Sequence, residues 1–130
     1  MPPEKRAVFA RYILTGLTTA LLYFACGAAL MRLTALSPAA AAATAFVAVV
    51  LVNYAMHYYF TFQADGAHLP VLSRYLVMTG CGMLINWWLA EHLFPVFQSM
   101  LAVQFICALA VVAWNLVLNM TWVFMQRGKA

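Results

Sequence analysis

At 130 residues, 67% of them hydrophobic and only 8% charged, the chain falls well outside the composition of soluble globular domains. So few charges cannot coat an exterior against water, and lipid is the solvent that makes this composition sensible. The net charge of +4 comes from Lys and Arg residues scattered singly at the edges of apolar runs, with no basic stripe, which excludes nucleic acid as a partner.

A helix needs about 20 apolar residues to cross a hydrocarbon core, and four stretches supply them. The first, Ala10–Met31, follows Lys5 and Arg6 and starts with Arg11. Its apolar run is too long for a secretory leader, and no clean small-residue cleavage site follows it, so it reads as a retained helix. Ser37-Pro38 then supplies an N-cap and a first-turn proline for the second span, Ala39–Phe62. The polar loop Gln63–Pro70 separates this from the third span, Leu72–Phe94, which Pro95 closes. Within it Asn86 precedes Trp87 and Trp88, and Glu91 has His92 or Arg32 as its default partner at that surface. The last span is Met100–Met125. The runs are too long and too evenly apolar for strands. Cys26, Cys81 and Cys107 all lie inside apolar runs without metal or redox spacing and read as small hydrophobes.

Orientation follows the positive charges. Lys5, Arg6, Arg11, Arg74, Arg127 and Lys129 flank the termini and the central loop, and the other two loops hold Arg32 alone. Both termini and the central loop are therefore expected in the cytoplasm.

The second half of the chain echoes the first. Arg11-Tyr12 with Gly16 opens the first span, and Arg74-Tyr75 with Gly80 opens the third. Residues 53–62 align without a gap to residues 115–124, matching Asn53 to Asn115, His57 to Asn119, Phe60 to Trp122 and Phe62 to Phe124. The expected fold is an all-α membrane protein. Four transmembrane helices are built from two repeated helical hairpins, approximately 10–62 and 72–125, within a single domain over residues 1–130. A parallel repeat of this kind occurs in transporters, although gene history alone also produces one.

Several polar residues fall at membrane depth. At about 1.5 Å per residue, Asn53 and Asn115 lie about 13 Å inside the cytoplasmic ends at Phe62 and Phe124. His57 and Asn119 follow at i+4, and Phe60 and Trp122 at i+7, so each helix carries a polar-to-aromatic stripe. Two readings are open for the amides of Asn53, Asn86, Asn115 and Asn119. They are interhelical glue, or they line a pathway. His57 is a packed histidine or a proton carrier. Arg11 and Arg74 are interfacial anchors, or they capture a lipid phosphate beside a helix N-terminus. The chain holds no Ser-His-Asp set, metal cluster, glycine-rich phosphate loop or carboxylate pair, so neither an enzyme nor a cofactor is expected.

With its opening Arg11-Tyr12 and Gly16, its Asn53…His57-Tyr58-Tyr59-Phe60-Thr61-Phe62, its Arg74-Tyr75…Gly80 and its closing Asn119-Met120-Thr121-Trp122-Val123-Phe124, the chain resembles the GtrA-like membrane proteins over almost its whole length. That family typically carries a basic residue just before the aromatic ending, where this chain has Tyr58 and Met120. Charge for a substrate would then come from Arg11, Arg74 and His57. The resemblance implies translocation of a polyprenyl-phosphate-linked sugar across the bacterial cytoplasmic membrane for cell-surface polysaccharide synthesis. The implied partners are that lipid-linked sugar, membrane lipids and a membrane glycosyltransferase. Four helices enclose little, so a homo-oligomer is expected.

Two other functions compete. A membrane anchor that recruits a glycosyltransferase fits the same sequence. A small proton-coupled multidrug-type exporter fits less well, because the first span has no Asp or Glu to hold a cation.

Overall fold

The computed structural model describes residues 2–125, without the side chains of Ala39 and Met100. Among the described residues there are four α-helices and no strand: α1 (Pro3–Leu33), α2 (Pro38–Met56), α3 (His68–Phe97) and α4 (Met100–Leu118). α2 runs on into a π-helical turn, His57–Thr61, and α4 into another, Asn119–Val123. Arg127 and Lys129 of the expected positive tail lie outside the described residues. The chain divides into two compact units, Met1–Gln63 and Ala64–Ala130. Each is a helical hairpin, α1 against α2 in the first and α3 against α4 in the second.

The helix ends follow local chemistry. The Ser37 hydroxyl accepts the Ala40 N–H at 3.2 Å, and Pro38 takes the first helical position, where its missing N–H costs nothing. Ser99 caps α4 in the same way, accepting from the Ala102 N–H at 3.4 Å. α1 begins well before the apolar run, because Glu4, Lys5 and Arg6 continue the helix as readily as leucine does. Pro95 does not close α3. It removes a single hydrogen bond near the end of the helix, which continues to Phe97 and stops where Gln98 turns left-handed (φ 51°) and donates its N–H to Phe94 at 2.9 Å.

Three stretches of the described residues are long and apolar enough to cross a membrane: Pro3–Leu33, Ala40–Thr61 and Leu101–Val123. Of the four expected spans, α3 is the one outside this set: at 30 residues it has the length, but its composition is less apolar. Arg74, Asn86, Glu91 and His92 lie within it, and the paired indoles of Trp87 and Trp88 add less apolar character than aliphatic residues would.

The hairpins are apolar outside and more polar inside. Leu17 is 61% exposed and Leu21 73%, whereas Thr15 on the same helix is fully buried. In water this arrangement would be perverse, but lipid rewards it. The inward row of α2 steps by four residues, through Ala41, Ala45, Val49, Asn53, His57 and Thr61. The inward row of α4 is Val103, Cys107, Val111, Asn115, Asn119 and Val123. Such a row is the inclined i±4 ridge of a helix. Small residues let the neighbour approach closely, and a Cβ placed on Gly27 would come within 3.9 Å of the Ala45 Cβ.

An i±4 row drifts around an α-helix, and the π turns compensate for that drift. The N–H of Phe62 bonds the His57 carbonyl at 2.9 Å, and that of Phe124 bonds the Asn119 carbonyl at 3.1 Å, both i→i+5. The wider turn keeps Thr61 below His57, and Val123 below Asn119, on the buried face.

Candidate functional site: the buried rows of the two hairpins

In the first hairpin the inward row ends in a hydrogen-bonded chain. His57 is 3% exposed, and its ring stacks on that of Tyr12 with centroids 5.1 Å apart and planes 18° from parallel. Its Nδ1 lies 3.1 Å from the Thr61 Oγ1, which in turn lies 2.9 Å from the Thr15 Oγ1. One turn further along α1, the Thr19 hydroxyl donates to the Thr15 carbonyl at 2.9 Å. These four polar side chains are buried and bonded within the hairpin, as burial of hydroxyls and imidazole requires. The next inward residue, Asn53, is different, because its buried Oδ1 has no hydrogen-bond partner.

The second hairpin packs Tyr75 against Phe124, centroids 6.4 Å apart, and fully buries Met78 and Val123. α3 and α4 are tied by Trp114, whose indole N–H donates to the Met78 carbonyl at 3.2 Å. They are close at Gly82, where an added Cβ would meet the Asn115 Oδ1 at 3.3 Å and the Trp114 Cδ1 at 3.5 Å. The Asn115 Oδ1 is buried and unpartnered. Asn119 is 1% exposed, and neither its Oδ1 nor its Nδ2 has a partner. Each such orphan group costs about 1–3 kcal/mol while it stays empty.

The two arginines sit against the π turns of their own hairpins. The Arg11 guanidinium lies 5.9 Å from the centroid of the Phe60 ring, a cation–π contact. Arg74 donates from Nη1 to the Trp122 carbonyl at 3.2 Å, one of the last carbonyls of the described helix. That contact uses one of five guanidinium N–H groups. Beside it lies a cleft of about 290 Å³, lined by Arg74, Val71, Gly66, Ala67 and Phe124 among others, with Asp65 also on its wall. The N-terminus of α3 lies at this cleft, with Ala67 at the N-cap position and no side-chain capping bond, so the positive end of the helix dipole adds to the arginine charge.

The sequence-derived residues thus fall into distinct places. Asn53 and His57 share the inward row of the first hairpin, and Asn115 and Asn119 share that of the second. Trp122 has an exposed side chain and contributes its carbonyl. The inward rows pass to Thr61 and Val123 rather than to Phe60 and Trp122. Asn86 is exposed on α3, and its carbonyl faces the Cys107 thiol at 3.8 Å. His92 is taken up by its own helix, stacked on Trp88 with its Nδ1 2.8 Å from the Trp88 carbonyl. Sequence reasoning passed over Thr15, Thr19, Gly82 and Trp114, and met Thr61 only as part of the motif after His57. The i, i+4 spacing of Thr15 and Thr19 and the place of Thr61 after His57 were the available signals.

Comparison with curated proteins and with solved structures gives no match. A family model described as GtrA/DPMS, transmembrane domain, matches residues 11–124. The match runs from Arg11 to Phe124 and takes in both buried rows, both arginines and both π turns. The chain is a multi-pass membrane protein and belongs to the GtrA/DPMS transmembrane-domain family.

Proposed function

We propose that the protein carries a polyprenyl-phosphate-linked sugar across the bacterial cytoplasmic membrane for synthesis or modification of a surface polysaccharide. One observation carries this reading: amides with open hydrogen-bonding groups are buried in hairpins whose exterior suits lipid. A carrier for such a lipid needs polar groups for the sugar inside an apolar body, and an anion site near one membrane face. Arg74, the cleft and the N-terminus of α3 are the candidates for the phosphate.

In this reading α3 is the fourth span. Its middle exposes Leu76, Val77, Met83 and Leu84, and its charges lie toward the ends, where interfaces would be. The termini and the Gln63–Ala67 linker face the cytoplasm. The two hairpins are copies of one unit, a reading supported by their common order of long helix, serine-capped helix and π turn. No chemical step is assigned to the protein.

The test is reconstitution into liposomes containing undecaprenyl-phosphate glucose, with transbilayer movement scored by oxidation of the exposed sugar by external periodate. The expected result is rapid oxidation of the inner-leaflet pool in protein-containing vesicles. Oxidation limited to the outer leaflet, as in empty vesicles, would reject transport and leave recruitment of a glycosyltransferase as the function.

A further inference from the structure

The two hairpins fill equivalent places with different chemistry. In the first, His57 meets Thr61, and Thr61 meets Thr15 on the facing helix, so each side chain answers another. In the second, the corresponding row places Asn119 above Val123, and α3 brings Met78 and Gly82 where α1 has Thr15 and Thr19. Both hydroxyls that bond the His57 network are replaced by apolar side chains. Asn119 remains, 1% exposed with both amide atoms unpartnered, and the Asn115 Oδ1 one turn away is unpartnered as well. A buried polar group that no protein atom satisfies calls for an occupant from outside the chain.

The kind of occupant follows from the open atoms. They are two amide oxygens and one NH2 group, a neutral set richer in acceptors than in donors. A phosphate diester brings acceptors only, and a prenyl chain brings neither. Sugar hydroxyls donate and accept at once and carry no charge that burial would penalise. At Gly82 the α3 backbone comes close to the Asn115 side chain, where an added Cβ would meet its Oδ1 at 3.3 Å. The Trp114–Met78 hydrogen bond closes the same hairpin, so a ligand enters only when α3 and α4 part there.

We infer that Asn115 and Asn119 form a hydroxyl-recognising subsite in the second hairpin, which selects the sugar of the carried lipid independently of its phosphate. The first hairpin, bonded internally at His57 and with a single open atom at the Asn53 Oδ1, is the structural counterpart. This rests on the proposed function, and the test separates the two. Purified protein in detergent is titrated with undecaprenyl-phosphate glucose and with undecaprenyl phosphate, following tryptophan fluorescence, and melting is measured on the same preparations. The parental protein should bind the glucosylated lipid roughly tenfold or more tightly than the bare one. Asn119→Leu should equalise the two affinities at the bare-lipid value, with its melting temperature unchanged or raised, because no protein hydrogen bond is lost. Asn119→Ser, which keeps one donor and acceptor, should retain part of the preference. An Asn119→Leu variant that keeps the full preference overturns the subsite. So does one that melts earlier and loses both lipids together, which marks an amide satisfied by water. Failure of the parental protein to bind either lipid instead removes the proposed function itself.

Discussion

Thr61→Val removes one hydroxyl, keeps a branched side chain of nearly the same volume and leaves the backbone unchanged. The lost oxygen stands 2.9 Å from the Thr15 Oγ1 and 3.1 Å from the His57 Nδ1, at a residue only 1% exposed. Two hydrogen bonds at about 0.5–1.5 kcal/mol each put the cost at about 1–3 kcal/mol. The lower end is the better expectation, because side-chain hydrogen bonds between transmembrane helices average about 0.6 kcal/mol. Thr15→Val breaks only the hydroxyl–hydroxyl bond, since the Thr15 carbonyl still accepts from Thr19. The double variant should therefore cost less than the sum of the singles, by about 0.5–1 kcal/mol, because the shared bond is then counted once. Unfolding in mixed micelles with increasing dodecyl sulfate, followed by circular dichroism, measures all four proteins. Tryptophan fluorescence would miss the effect, because Trp87, Trp88, Trp114 and Trp122 all lie in the second hairpin. Additive single costs, or a Thr61→Val protein as stable as the parent, would refute the hydrogen-bonded chain.

Other outcomes follow from the second hairpin and from the charges. Gly82→Ala should cost about 1 kcal/mol, because its Cβ would press on the Asn115 Oδ1 at 3.3 Å, and Gly82→Leu should cost about 3 kcal/mol or more; both are measurable in the same unfolding assay. Trp114→Phe keeps the ring but loses the 3.2 Å bond to Met78, and should lower stability by about 1 kcal/mol. Arg74→Gln should weaken binding of undecaprenyl phosphate while Arg74→Lys restores part of it, because a point charge recovers attraction but not the guanidinium fork. Equal binding by all three proteins would leave Arg74 as an anchor only. Reporter fusions after Phe62 and after Met125 should fluoresce as green fluorescent protein and be inactive as alkaline phosphatase, and phosphatase activity at either point would invert the topology.

Much of the helix plan was readable in the residues. Ser37-Pro38 announces the start of α2 by two independent chemical requirements, and the apolar runs give α1, α2 and α4 their length. The pairs Asn53 with His57 and Asn115 with Asn119 also land on the inward rows that their spacing implied. The π turns were not readable, because they answer the drift of an i±4 row against its neighbour, a tertiary demand with no residue of its own. Missing them sent the expected stripe to Phe60 and Trp122 instead of Thr61 and Val123. Thr15 and Thr19 were hidden for a related reason. A threonine can satisfy itself on its own helix, as Thr19 does at the Thr15 carbonyl, so its presence in an apolar run says little until the facing hydroxyl is placed. Pro95 misled in the opposite direction, since a proline breaks a helix only where the bond it deletes has to be kept.

The contact between Arg74 and Trp122 is made to the main chain, and the main chain is common to all twenty residues. Whatever side chain stands at position 122, a turn of this width presents the same carbonyl to the same guanidinium. The arginine therefore exerts no selection on the identity of its partner, only on the shape of the turn. The exposed indole is released from any duty inside the hairpin and answers to its surroundings alone. Substitutions at position 122 should drift freely among side chains that suit the bilayer, while a change that narrows the turn elsewhere, far from any charge, is the kind that would unseat Arg74.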